Sequence, residues 1–472
     1  MAAVGERIVK RIFRRLPFPP IVLYRIGIIL GLLAVEVVLG RMMVKFKKPE
    51  FILAACVVPV VTFLLYRLGR IEYGVLAIVF TAAVVRFTLP TGTQSRLVMS
   101  LLLTAMFIVI WIARMFVVER RLYLLPSSVN VPLLGYVATC IISLVWSNAF
   151  RDVLVVVWST WPFVQMGGLA VMILLPSALL LTYNSFKEIK WLYGLTALFL
   201  IVGTVAIVGQ LAHLPIHFLQ VRPLFPTWVI CLAYALALFD RRLPGWLRVL
   251  LLLLSGAWFY LVFVRQLRWL SAWMPTVAAI GIISLLRSKC FLILIILALV
   301  VYGVLNVSTL KANFEAEQTA SGVTRLMAYA HNWRVTGKHL LFGVGPAGYA
   351  AYYMSYFPDE AMATHSTYLD TLSQTGIVGL SFFLWMFFEL GRTAWKLVWR
   401  LRGGGNFEEA FSVAALGGIA GLILAMGLGD WIVPFVYTQT IAGFDYAVYS
   451  WVMMGAMLSL NYITAPAADK KA

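Results

Sequence analysis

His365 opens the stretch His365-Ser366-Thr367-Tyr368-Leu369-Asp370-Thr371-Leu372-Ser373-Gln374-Thr375-Gly376-Ile377-Val378-Gly379-Leu380. Histidine is the side chain best tuned for proton transfer near neutral pH. His365, Leu369, Leu372, Gly376 and Gly379 recur at spacings of four, three, four and three, which predicts one face of a helix. The two glycines on that face admit close packing of a neighbouring helix. A lone histidine is more often structural than catalytic, so its surroundings decide. Arg222 opens an apolar run at 222–240. Arg265 and Arg268 open another at 268–286, three residues apart and on one helix face. Arg325 lies in the longest connection of the chain. Each arginine alone could snorkel to lipid phosphates. Four of them with a histidine suit a diphosphate, because guanidinium forks bind phosphate oxygens bidentately and stabilise a diphosphate leaving group.

Other candidates carry less. Gly343-Val344-Gly345-Pro346-Ala347-Gly348 fits GxGxxG. A dinucleotide site needs a strand before it and a helix after it; here a helix precedes it and Pro346 interrupts it. The expected role is a tight turn that brings backbone close to a neighbour, or the end of a loop helix. Glu36 falls in mid-span, while Asp240, Glu389 and Asp430 fall near span ends. A proton relay would need several acids or histidines meeting at depth. The four cysteines, Cys56, Cys140, Cys231 and Cys290, form no CxxC and no Cys/His pair at ligand spacing, so neither a disulfide framework nor a zinc site is expected. Asp359-Glu360 is adjacent and solvated, and no oxygen-ligand set for a divalent ion stands out; no metal and no cofactor are expected.

These side chains must be positioned by membrane-spanning helices. Of 472 residues, 62% are hydrophobic and 12% charged, with mean hydropathy +0.92. Soluble domains carry about 25% charged residues. The apolar runs are continuous, which excludes a β-barrel with alternating strands. About fourteen spans of some 20 residues each are expected: 21–40, 50–66, 71–87, 97–113, 131–148, 161–182, 188–210, 222–240, 246–264, 268–286, 290–307, 370–391, 410–430 and 446–462. The fold class is all-α and polytopic, with 12–14 spans. Residues Arg151 to Thr160 read as a re-entrant or interfacial piece.

The net charge is +19. The basic residues sit between spans, where orientation and anionic lipid account for them better than nucleic acid. With the N-terminus inside, 24 of the 38 Lys and Arg fall inside, which supports both termini in the cytoplasm. The loop Arg41 to Lys48 breaks this rule. The basic N-terminal stretch from Arg7 to Arg15 reads as a retained cytoplasmic helix. The division expected is 1–307, a first transmembrane bundle; 308–364, one long outward loop; and 365–472, the last transmembrane helices. A loop of that length is usually functional. Within it Leu326, Ala330, Trp333, Gly337 and Leu340 recur at three and four and predict an amphipathic helix, with Arg325, His331, Arg334 and Lys338 off that face.

Three stretches resemble the O-antigen ligase and O-antigen polymerase family of bacterial envelope glycosyltransferases. His365 to Leu380 resembles that family's histidine, leucine and Gly-x-x-Gly-Leu opening of the helix after the large periplasmic loop. Arg325 to Gly348 resembles its arginine, tryptophan and Gly-x-Gly-x-x-Gly run. Arg265 to Trp269 stands in place of Ser-Arg-Gly. Ser366 stands where asparagine is usual, and Phe225-Pro226-Thr227 where Asn-Pro-Asn is common.

The resemblance implies a GT-C-like, metal-independent transferase in the bacterial inner membrane, with its site on the periplasmic side. It implies an undecaprenyl-diphosphate-linked glycan as donor. The acceptor would be a hydroxyl, on a lipid A core sugar in ligases or on another carrier-linked repeat in polymerases. His365 would be the general base or acceptor-orienting group. Arg325, with Arg265 or Arg268, would hold the diphosphate; Arg222 is a further candidate holder from the arginine pattern alone. The partners implied are donor, acceptor and bilayer, with no nucleic acid and no stated oligomeric state. A transporter of lipid-linked or small anionic solutes is the alternative of a different class; it predicts internal repeats and broken helices in matching halves, and no repeat is found.

Overall fold

The computed structural model describes residues 70–86, 88–90, 96–214, 219, 224–265, 270–308, 311–312, 323–358 and 364–466. The spans expected at 21–40 and 50–66, the basic N-terminal stretch, Glu36, Arg41 to Lys48, Cys56, Asp359-Glu360, Arg222 and Arg268 lie outside these residues. The other twelve expected spans fall on helices. These are α1 (Glu72–Val84), α2 (Met99–Val117), α3 (Asn130–Ala149), α4 (Trp161–Ser185), α5 (Ile189–Leu211), α6 (Leu224–Phe239), α7 (Gly245–Phe259), α8 (Leu270–Arg287), α9 (Lys289–Leu305), α12 (Thr367–Leu401), α13 (Phe407–Leu428) and α15 (Phe444–Ile463). Between them lie the loop helices α10 (Val323–Thr336) and α11 (Gly348–Tyr356) and the short α14 (Val436–Gln439). A small antiparallel pair, Thr88–Pro90 with Arg96–Val98, is the only sheet among the described residues.

Eight of these helices are long and apolar enough to cross a membrane, and α1, α6, α8 and α9 are shorter and apolar. The chain is an all-α polytopic membrane protein, as its composition requires. In hydrocarbon a helix satisfies every backbone group internally, so continuous apolar runs become helices whatever their propensity. Large apolar side chains such as Val109, Leu253, Ile293 and Leu305 point outward, and α9 has no buried residue. Lipid is as apolar as a leucine core, so such faces need no protein cover.

What holds the bundle together is close approach at small residues. In α13, Gly417 lies against Ala279 and Ile283 of α8, and Gly421 faces the Pro275 carbonyl, where an added Cβ would stand 2.8 Å from the oxygen. Gly418 receives the ring of Trp228 from α6, whose Nε1 donates to Ser450 of α15 at 3.0 Å. Gly455 of α15 leaves room for the Leu179 carbonyl and Thr182 of α4. Helices from both sides of the long loop therefore interleave. The same contacts fix direction. Arg241 at the end of α6 donates its backbone N–H to Gly405, just before α13, at 3.0 Å. The starts of α6 and α8 thus lie at the same end of the bundle as the finish of α13, and that end also carries α10 and α11.

Candidate functional site

The glycine-rich loop and the helix after it form one unit. Helix α12 is interrupted at Gly376, with φ +67° and ψ −171°. An interruption frees backbone groups that must be paired at membrane depth. The loop supplies the partners: Val344 and Gly345 donate to the Ser373 and Gln374 carbonyls at 2.8 and 3.1 Å. In return Ile377 and Val378 donate to the Leu340 and Leu341 carbonyls at 2.8 and 3.3 Å. Ser143 of α3 donates to Phe342 and Gln374 carbonyls, and the Gln374 side-chain oxygen accepts from Ala347 N–H at 2.8 Å. Gly343 and Gly345 have positive φ, and a Cβ on Gly343 or Gly376 would collide with the facing backbone. The glycines of the GxGxxG run are thus spent on docking backbone to backbone, which is the close approach their sequence predicted.

The structure corrects two expectations. His365 is not on the helix: α12 begins at Thr367, and Gly376 is a break and not a face position. Only Gly379 meets a neighbouring helix, with Thr139 of α3 beside it. The apolar stripe of α10 faces outward. Leu326, Trp333 and Leu340 are exposed, while Ala328, His331, Asn332, Val335 and Thr336 are buried. Of the residues off that stripe, His331 turns onto the loop core, its ring centroid 4.3 Å from that of Phe357, while Arg334 and Lys338 are exposed. In a membrane protein an apolar stripe can equally face lipid, so periodicity finds the face without naming what covers it.

His365 occupies a strained turn, with φ +49° in the left-handed region that few non-glycine residues adopt. The turn is fixed on both sides. Thr364 Oγ1 donates to Asp370 Oδ1 at 2.6 Å and accepts from the Ser366 N–H at 3.3 Å. Thr367 donates through its hydroxyl and its N–H to the Gly429 carbonyl, at 2.8 and 3.3 Å. Gly429 precedes Asp430, so this tie brings the histidine turn to the end of α13. Asp430 is buried, and Thr438 Oγ1 and Gln439 Nε2 from α14 donate to its carboxylate at 3.3 and 3.2 Å.

The imidazole is half-buried, outside the span. Burial pushes its pKa below the ordinary histidine value; the Asp430 carboxylate pulls it up, and the Arg325 guanidinium pushes it down again. Both charges therefore act on the same ring, Arg325 from α10 and Asp430 from the end of α13. Asp370, buried one turn into α12, lies within electrostatic reach of Asp430 and of Tyr349 in α11. The Tyr349 hydroxyl is buried with no hydrogen-bond partner among the described residues.

Of the expected site residues, His365 and Arg325 come together. Arg265 ends a π-helical turn, Tyr260–Arg265, that continues α7 at the same end of the bundle, and it is exposed. No contact joins it to His365 among the described residues. Arg222 and Arg268 lie outside those residues, although the helices they precede, α6 and α8, start at this end. Among the span-end acids, Asp430 belongs to the site. Asp240 and Glu389 lie at the other end, bonded to Arg242 N–H at 3.0 Å and to the Arg392 guanidinium at 2.5 Å. Sequence reasoning missed Thr364, Asp370 and Tyr349. A buried acid inside an apolar helix was the available signal for Asp370. Cys140 and Cys231 are buried free thiols and Cys290 an exposed one. Among the described residues no three His, Cys, Asp or Glu side chains gather as ligands for an ion.

A neutral imidazole acted on by both a cation and an anion can accept a proton from a hydroxyl, the anion then stabilising the imidazolium. The guanidinium can hold an anionic leaving group beside it. Residues 227–384 match the sequence model of a family described as O-antigen ligase. That stretch runs from α6 through the break in α12 and contains Arg265, Arg268, Arg325 and His365; Arg222 and Asp430 lie beyond it. No curated protein matches the chain.

Proposed function

We propose that this chain, whose central third matches the O-antigen ligase family, is a membrane glycosyltransferase that moves a glycan from an undecaprenyl-diphosphate donor to a hydroxyl of a lipid A core acceptor. The observation that supports this most is His365, strained and half-buried, under the joint influence of Arg325 and Asp430. The acceptor oxygen attacks the anomeric carbon of the donor sugar. Its proton passes to His365, and the bond from that carbon to the diphosphate oxygen breaks. The bonding pair leaves with undecaprenyl diphosphate, whose charge Arg325 offsets, together with Arg222 and Arg265 or Arg268 as further holders. The depressed pKa keeps the imidazole neutral, and hence able to act as a base, to lower pH than an ordinary histidine.

On this reading the loop end of the bundle faces the periplasm and both termini face the cytoplasm of the inner membrane. Residues 308–364 form the periplasmic loop between a bundle ending at 307 and the helices after 365. No step of this transfer requires a metal.

The test is transfer by the purified protein, parent against His365→Ala, with and without EDTA, offering core-lipid and carrier-linked acceptors in parallel. Product on the core-lipid acceptor, retained in EDTA and lowered at least ~100-fold in the variant, is expected from the loss of a general base. Product only on the carrier-linked acceptor would make the protein a polymerase. Transfer unaffected in the variant would remove His365 from the reaction.

A further inference from the structure

A concavity lies at the C-terminal end of α10, the end away from Arg325. It holds about 390 Å³ and is lined by Asp152, Arg334, Lys338, Tyr352, Tyr356 and Phe357. Its floor is held firmly. Tyr356 donates to Asp152 Oδ2 at 2.6 Å, Leu154 N–H donates to Oδ1 at 3.1 Å, and Asp152 N–H donates to the Tyr352 hydroxyl at 3.1 Å. Val156 N–H donates to Ser355 Oγ at 3.0 Å, which ties the Arg151 to Thr160 connection onto α11. These bonds push Asp152 below the usual carboxylate range and the Tyr356 phenol up to about 12. The Asp152 carboxylate is thus an anion already engaged by its own neighbours.

The rim is different. Arg334 and Lys338 are exposed, four residues apart on one side of α10 and its extension, and neither forms an ion pair within 4.0 Å among the described residues. Lys338 and His339 act on Asp152 only at a distance. Two cations thus face one carboxylate whose charge is already spread over two donors, which leaves the cleft positive. Tyr356 and Phe357 add partly exposed rings to its wall.

Aromatic walls with a few placed polar groups are the usual composition of a small-ligand site. A flat ring with apolar C–H faces can lie on Tyr356 and Phe357. Its hydroxyls can donate to the remaining lone pairs of Asp152. The two cations require that it carry an anionic group, and arginine holds such a group bidentately. Arg325 and Arg334 are nine residues apart on α10, about 14 Å at helical rise. An extended saccharide of a few rings can therefore reach from the histidine turn to this cleft.

We propose that the cleft bounded by Asp152, Arg334, Lys338, Tyr352, Tyr356 and Phe357 is a saccharide subsite that selects a sugar unit bearing a phosphate or carboxylate. Its role within transfer rests on the proposed glycosyltransferase activity; the binding does not. The subsite holds the glycan by its charged unit while the hydroxyl or anomeric carbon of another unit sits at His365.

Binding can be read without turnover. Purified full-length protein is titrated calorimetrically with trigalacturonate and glucose 6-phosphate as acidic probes, and with maltotriose and glucose as their neutral counterparts. The acidic probes are expected to bind at least about tenfold more tightly, as one charge-assisted contact supplies. Arg334→Ala/Lys338→Ala, two exposed changes, is expected to abolish that preference while leaving thermal unfolding in detergent unchanged. Equal binding of acidic and neutral probes, no binding of any of them, or an undiminished preference in the double variant, would overturn the subsite. Transfer kinetics then separate the two sources of the charged sugar. A rise in the acceptor KM assigns it to the acceptor and a rise in the donor KM to the donor, while both KM values unchanged would overturn the role in transfer. A protein that binds acidic probes but transfers nothing would sink the transferase reading and leave the subsite standing.

Discussion

The two ends of the bundle handle charge in opposite ways. At the end away from the loop, Asp240, Glu389 and Glu409 each find a local donor. Glu389 takes two bonds from Arg392, at 2.5 and 3.0 Å. Glu409 closes the turn before α13 by accepting from Gly403 and Gly405 N–H at 2.9 and 2.7 Å. Arg400 donates to the Asn461 carbonyl and the Thr464 hydroxyl at 2.9 and 2.8 Å. These are neighbours in sequence or caps of adjoining helices, and they do what charges at membrane ends ordinarily do. At the loop end, Arg325, His365, Asp370 and Asp430 come from distant parts of the chain onto one spot. The imidazole there stands in a left-handed turn, and the helix that follows it is broken at Gly376. Local pairing stabilises an end; charges gathered from separate helices around a strained group are the arrangement that functional sites use. The difference between the ends is what makes one of them the candidate site.

That comparison can be broken most severely at the break itself. Gly376→Val adds a side chain where φ is positive and where the Leu341 carbonyl already occupies the space. The conformation alone, φ +67° with ψ −171°, is one that essentially only glycine adopts and costs about 1–3 kcal/mol with a Cβ, and the collision adds to it. The expected outcome is a fall in apparent melting temperature larger than that of His365→Ala or Glu389→Gln, with loss of folded protein on size exclusion. A normal melting temperature would mean that the loop is not docked as described. Next in size is the loss of transfer in His365→Ala, with folding kept. The smallest effect belongs to the other end. Glu389→Gln removes an ion pair whose arginine is 42% exposed, so a stability change under about 1 kcal/mol and unaltered transfer are expected. An effect on turnover as large as that of His365→Ala would erase the distinction between the ends.

Much of this was legible in the sequence, and the parts that were not share a cause. Twelve of the expected runs could be placed on helices, eight of them long and apolar enough to cross a membrane, because a bilayer leaves a long apolar run no choice but helix. His365 and Arg325 could be paired because residue type and the long loop between spans both pointed there. Asp430 could be marked as a span-end acid, yet its link to His365 runs through Thr367 and the Gly429 carbonyl, which no spacing rule reveals. The outward-facing stripe of α10 shows the limit of periodicity, since Leu326 and Trp333 form a stripe whether they meet protein or lipid. The interruption at Gly376 escaped for a related reason. A glycine at helical spacing reads equally as a packing notch or a break, and only the carbonyls of Leu340 and Leu341 coming to meet Ile377 and Val378 decide between them.

If His365 takes a proton under the opposing influence of Arg325 and Asp430, the pH dependence of transfer measures it. The base must be neutral, so the rate rises with pH along an acidic limb whose midpoint follows the imidazole pKa. The groups acting on it are Asp430 from the end of α13 and Arg325 from α10. An anion favours the imidazolium, so Asp430→Asn lowers the pKa and moves the limb to lower pH. A cation disfavours it, so Arg325→Gln raises the pKa and moves the limb to higher pH. The account predicts opposite displacements in the two variants, with the limb of the parent lying between them and below the value of an ordinary histidine. Limbs that coincide in all three proteins, or that move the same way in both variants, would contradict it.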